Sequence, residues 1–141
     1  MKHYEVRRTL TASPADIWSV ITNGEALQRG NFGINRFEGT IGPGAKIKLW
    51  SEVSPERAFT MKVQDFAPNR RMVWKGGMPL GLFTGVRQFN LSETTGGTEF
   101  HMREEFSGPL LALIWKSMPD LGPTFEKFAD GLQTIVEGSA A

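Results

Sequence analysis

Residues 82–107 read LFTGVRQFNLSETTGGTEFHMREEFS. Two alternating runs, Leu82–Glu93 and Gly97–Ser107, flank Thr95-Gly96, a dipeptide suited to a two-residue turn. If those two residues form the turn, Thr94 faces Gly97, and every later pair is fixed by the same register. Leu91 then faces Phe100, Phe89 faces Met102, and Arg87 faces Glu104. All six residues fall on the hairpin's apolar face.

Working outward, the punctuation from Asn35 to Ser107 is that of an antiparallel meander. Gly42-Pro43-Gly44, Ser54-Pro55-Glu56, Ala67-Pro68-Asn69 and Gly76–Gly81 separate strands expected at Asn35–Ile41, Ala45–Val53, Arg57–Phe66 and Arg70–Lys75. Phe37, Ile47, Leu49, Phe59, Met61, Val63, Met72, Trp74 and Phe83 join the apolar face. Lys46, Lys48, Lys62, Lys75, Gln88, His101 and Arg103 join the other. One dry and one wet face predict an antiparallel sheet covered on one side. Upstream, His3–Ala12 alternates as a strand with Tyr4, Val6, Arg8 and Leu10 in phase. Ser13, Pro14 and Asp16 then mark a helix start, Ile17, Trp18, Val20 and Ile21 its apolar side, and Glu25–Arg29 a second short helix. Downstream, Leu110–Met118 and Thr124–Glu137 read as helical, the latter with a stripe of Phe125, Phe128, Ala129, Leu132, Ile135 and Val136. Gly138–Ala141 is expected to fray. The expected fold is α+β: a curved sheet of about seven strands, in the order β-α-α-β6-α, around a long C-terminal helix.

A chain of 141 residues with 40% hydrophobic and 22% charged residues suits a single domain, 1–141. A net charge of +1 provides no field for a nucleic-acid backbone. The absence of cysteine excludes disulfides, thiolate nucleophiles and thiolate-bound zinc. No run approaches the roughly 20 apolar residues of a membrane span, and the first residues lack an apolar signal core, so a cytoplasmic protein is expected. Both histidines, His3 and His101, fall on the wet face. No metal site, no serine–histidine–aspartate triad and no cofactor are therefore expected.

The element order and several local marks resemble the SRPBCC superfamily of START-like, polyketide cyclase and Bet v-type proteins, whose fold is the helix grip. These marks are Thr11-Ala12-Ser13-Pro14 before Ile17-Trp18, Arg87-Gln88-Phe89-Asn90-Leu91, Gly96-Gly97-Thr98-Glu99-Phe100, and Glu104-Glu105-Phe106-Ser107-Gly108-Pro109-Leu110 with the Pro119–Leu132 helix. The resemblance covers essentially the whole chain and implies an apolar cavity between sheet and helix. It does not select one function, because such folds host binding proteins, cyclases, hydrolases and chaperone activators. The Trp-Trp-Gly-Pro element of the Hsp90-activator-like branch is missing.

Arg87 opposite Glu104 on a dry face is the least expected feature of the sequence. Two inward charges must pair, since either alone would cost several kcal/mol. The pair is either a self-neutralising structural element or a polar anchor within the cavity, with Glu104 able to act as acid or base. Arg8 shares the inward phase and can approach the same place. Phe59, Met61, Trp74, Phe83, Phe89, Phe100, Met102, Phe125 and Phe128 are the expected cavity walls. Strand parity puts the connections at Ser54–Glu56, Gly76–Gly81 and Ser107–Pro109 at one end. Met78 and Leu80, in the glycine-rich Gly76–Gly81, would then form an apolar lid there. Trp50, on the wet face, is a candidate partner surface.

Three functions follow: a binder of a small hydrophobic lipid-, polyketide- or aromatic-like molecule; a cyclase/dehydratase-type enzyme using Glu104 with Arg87; or a protein-interaction module with a vestigial cavity. The first implies a monomer or weak homodimer without nucleic-acid partners.

Overall fold

A computed structural model of the protein describes residues 2–138; the rest of the tail expected to fray lies outside the described residues. The chain runs β1 (Lys2–Leu10), α1 (Pro14–Ile21), α2 (Gly24–Arg29), β2 (Ile34–Glu38), β3 (Lys46–Ser51), β4 (Ser54–Ala67), β5 (Arg71–Gly77), β6 (Thr84–Thr94), β7 (Gly97–Ser107), α3 (Leu111–Trp115) and α4 (Gly122–Val136). The seven strands form one antiparallel sheet in the order β1-β7-β6-β5-β4-β3-β2. It is the expected helix-grip architecture. The hairpin has the register read from its turn, with Thr94 opposite Gly97 and Arg87 opposite Glu104. Ser13 caps α1 through a bond from the Asp16 amide, as expected.

The inner face carries the core. Ile47, Val63, Met72, Trp74, Phe89, Phe100 and Met102 are buried against Phe125, Phe128, Ala129 and Leu132 of α4. At about 25 cal/mol per Å2 of apolar surface, each such side chain contributes roughly 1.5–3 kcal/mol relative to exposure. The helices α1 and α2 add Ile17, Trp18, Ile21 and Leu27. Ile135, expected in the α4 stripe, is instead 44% exposed, because the stripe turns away from the sheet at the helix's last turn.

Two bulges correct the sequence reading of β4. Ser54-Pro55-Glu56 is not a turn but the start of the strand, and the reversal occurs at Glu52-Val53. The pairing jumps from Trp50↔Ala58 to Ser51↔Ser54, so Pro55 sits in a bulge where its missing N–H removes no ladder bond. At the other end Asp65 takes φ +48, and the register breaks between Gln64 and Ala67. That extra residue reverses the alternation and turns Phe66 inward, onto Trp18 at 5.3 Å.

Helix α4 is tied to β1 by polar contacts. Arg8 bonds Asp130, Glu126 at 2.8 Å and Gln133 at 3.2 Å. The Thr11 amide donates to Glu137 at 3.0 Å. This contact, with a second from Gln133, holds the Glu137 carboxyl below its ordinary 4.5. On the outer face, hydrogen bonds from His101 and Arg103 lower Glu5 in the same way.

Both carboxylates therefore add stability that is fully present above pH 4.5 and is lost as pH falls through their lowered folded values. Thermal melting followed from pH 7 to pH 3 should show this loss, and a Glu5→Gln/Glu137→Gln variant should show a shallower decline. Gly131 of α4 offers a second test, since a Cβ there would lie 2.6 Å from the Asn31 carbonyl oxygen. Gly131→Ala ordinarily favours a helix by about 1 kcal/mol. Here it should lower stability by about 1–3 kcal/mol in urea unfolding, because backbone has to move.

Candidate functional site

The register lines up one row of inward residues across the sheet: Val63, Trp74, Arg87, Glu104 and Tyr4. Within it Arg87 donates from Nε and Nη2 to the same oxygen, Glu104 Oε1, at 3.0 and 2.8 Å. Their side chains are 17% and 14% exposed. The guanidinium stacks over Phe125 of α4, with its carbon 4.8 Å from the ring centroid. Pairing and the aromatic face together compensate charges that would otherwise be costly this far from water.

The next row toward the sheet end is Met61, Gly76, Gly85 and Phe106. Of its two glycines, Gly76 leaves room for Met61 and the Thr60 carbonyl, and Gly85 leaves room for the ion pair. A Cβ on Gly85 would lie 2.8 Å from Glu104 Oε2. That oxygen accepts no bond from another described side chain, while Oε1 takes both from Arg87.

An aromatic group surrounds this end of the row. Tyr4 stacks on Trp115 of α3 at 5.5 Å and lies 5.9 Å from Phe125. Phe83 stacks on Phe106 at 5.8 Å, and Phe106 also meets Trp115. Deeper in, Trp74 packs 4.7 Å from Phe89, and Phe100 stacks on Phe128 at 6.1 Å. The Trp74 indole N–H is buried and has no hydrogen-bond partner.

The structure thus brings together Arg87, Glu104, Trp74, Phe83, Phe89, Phe125 and Phe128, and buries Phe100 and Met102 beside them. It separates others. Arg8 faces inward as expected but pairs with Asp130 and Glu126, not with Glu104, because β1 sets it opposite Phe100 and Tyr4 opposite Glu104. Phe59 is 40% exposed and forms no closed wall: paired Met61 and Gly76 are the last partners of β4 with β5, so Phe59 has a strand on one side only. Met61 is half-buried. Leu80 is 96% exposed and touches no interior wall, since its left-handed backbone (φ +62) in the 310 turn Pro79–Gly81 directs the side chain outward. Met78, in the same loop, is 40% exposed. Trp50 lies on the outer face, half-buried under Arg36 at 4.9 Å.

Tyr4, Phe106, Trp115 and Gly85 were not singled out as site residues from the sequence. Tyr4 and Phe106 show the correct phase, but no turn fixes the pairing of β1. Trp115 belongs to a five-residue helix without a side-chain cap, which carries little sequence signal. Among the described residues no helix is long and apolar enough to cross a membrane, and no group of His, Asp or Glu side chains could hold a metal ion.

Solved structures share this architecture at low identity. Protein MLL2253 of Mesorhizobium loti superposes with a TM-score of 0.76 at 14% identity, covering 99% of this chain and 100% of that one. The Aha1 dimer of Colwellia psychrerythraea gives 0.75 at 19% identity, with 100% of both chains covered. DynU16, from the dynemicin biosynthetic locus, gives 0.70 at 14% identity over 99% of this chain and 48% of that one. At these identities the likeness concerns the fold. No curated protein matches the sequence. Residues 1–137 match the family described as polyketide cyclase/dehydrase and lipid transport, and the chain belongs to that family.

Proposed function

We propose that the protein binds a small hydrophobic molecule between sheet and α4, with the molecule's polar end at Arg87 and Glu104. The observation that carries this reading is the ion pair itself: two charges on an apolar face, set among Trp74, Phe125 and Tyr4, with Gly85 beside Glu104. Family membership supports the ligand class, since lipid transport and polyketide chemistry both handle apolar molecules.

The pair is electrically balanced, which favours an uncharged hydrogen-bonding end over a free carboxylate. A guanidinium has five N–H donors in a fixed fork, and Glu104 takes only two of them. A carbonyl or hydroxyl oxygen can accept from the remainder, while a hydroxyl proton can go to Glu104 Oε2. Phe and Met walls adapt to ligand shape without strong selectivity.

Calorimetric titration with 2-naphthol and with naphthalene checks the reading. The wild type should prefer naphthol. Arg87→Leu combined with Glu104→Leu, which strands neither charge, should lower naphthol affinity about tenfold, worth 1.4 kcal/mol, and leave naphthalene binding unchanged. Equal naphthol binding by the variant would remove the polar anchor.

The uncommitted Oε2 of Glu104 favours a second reading, in which that oxygen takes a proton from a polyketide-like or aromatic substrate in a cyclase or dehydratase step. Glu104→Gln separates the two. Under binding alone, neither wild type nor variant alters the bound molecule; under catalysis, the wild type converts it, followed by mass change of the extracted ligand, and the variant does not.

A further inference from the structure

The outer face of the sheet divides its charge unevenly. On β1 and β7 the charges neutralise one another: Glu5 contacts His101 and Arg103, Arg103 also pairs with Glu105, and Arg7 with Glu99. On β3, β4 and β5 Arg71 pairs with Asp65, but four lysines are left over. Lys46 stands opposite Lys62, and Lys62 opposite Lys75, with Lys48 on the same face. None of these four lysines belongs to an ion pair among the described residues. Directly opposed like charges destabilise a sheet, with cross-strand Cβ atoms only about 5 Å apart. A row of three on adjacent strands is a local excess of positive charge that attracts an anion.

A place for one exists. A hollow of about 370 Å3 lies on this face beneath the β5–β6 connection, lined among others by Lys62, Gln64, Lys75, Gly77, Met78 and Thr84. No described residue lining it is acidic. It is an open hollow of the sheet surface rather than an enclosed cavity, and is large enough for a small polar group. Two ammonium groups, an amide and a hydroxyl are donors suited to a group with several acceptor oxygens and nearly two negative charges, which is the chemistry of a phosphate monoester. Met78 at the rim provides apolar contact for the ester's organic part.

We propose that this hollow is a binding site for the phosphate group of a phosphate monoester, on the face of the sheet opposite the ion pair. The ester can be a soluble metabolite or the headgroup of an anionic phospholipid. Leu80, 96% exposed in the adjoining turn, is placed to enter a bilayer in the second case.

The test has two arms. Amide shifts of the protein are followed on titration with glycerol 3-phosphate, with sulfate as control anion. Sedimentation is measured with phosphatidylcholine vesicles, with and without phosphatidic acid. Glycerol 3-phosphate should bind saturably and shift residues 76–84. Lys62→Gln/Lys75→Gln, at two exposed positions, should weaken it about tenfold, as expected for losing two surface charge contacts. If vesicles bind only when they contain phosphatidic acid, and Leu80→Ser removes that binding but not the glycerol 3-phosphate shifts, the headgroup is the source. If glycerol 3-phosphate binds and vesicles do not, the source is soluble. The proposal is overturned if neither arm shows saturable binding, if the double variant binds as tightly as the wild type, or if sulfate binds as tightly as glycerol 3-phosphate.

Discussion

The apolar face of a seven-strand sheet is closed chiefly by one helix of fifteen residues, and the rest of the molecule is arranged around that constraint. A helix of this length spans about 22 Å, enough for the middle of the sheet. Phe125, Phe128, Ala129 and Leu132 fill that middle. At one end α1 and α2 complete the cover with Ile17, Trp18, Ile21 and Leu27. At the other, aromatic side chains from β1, β7 and α3 gather around the start of α4. The helix is not held by packing alone. Arg8 and Thr11 bond its outer side to β1, which fixes its rotation and so decides that Phe125 lies under Arg87.

The ion pair therefore depends on the helix as much as on the hairpin. Register brings Arg87 opposite Glu104, but it is the Phe125 ring that covers the guanidinium. A half-buried pair of this kind adds little net stability, because desolvation offsets most of the attraction. Losing one partner costs far more than losing both. Arginine and glutamate at these two positions are thus poorly explained by stability, which is why the site reading rests on them.

Most of the fold was legible because the sheet is wet on one side only. Alternation within the strands from Phe37 to Phe106 assigns most residues to a face, and one turn, Thr95-Gly96, fixes the register of the longest hairpin. Where alternation breaks, the reading breaks too. The residue inserted at Asp65 hid the inward turn of Phe66, and Pro55 passed for a turn because prolines in bulges carry the same sequence mark as prolines in loops. The site was legible to the extent that local pairing defined it. Arg87, Glu104 and Trp74 lie on consecutive hairpin-linked strands. Tyr4 and the partners of Arg8 depend on contacts remote in sequence, which no local pattern encodes. Leu80 differs for another reason: hydrophobic character marked it for an apolar lid, whereas a positive φ turns its side chain to solvent.

The pairing of β1 with β7 joins the first and last strands in sequence, with Lys2 opposite Phe106 and Leu10 opposite Thr98. Few contacts in the molecule close a longer loop, so the order of folding is constrained. During synthesis the first strand leaves the ribosome early and has no partner until β7 has followed, roughly a hundred residues later. In that interval Tyr4, Val6 and Leu10 are an unpaired strand with one greasy edge, the kind of segment prone to wrong pairings between chains. The polar residues that alternate with them, His3, Glu5, Arg7 and Thr9, keep that waiting strand hydrated. The meander from β2 to β7, whose neighbours are adjacent in sequence, can assemble first and present β7 as the edge on which β1 docks.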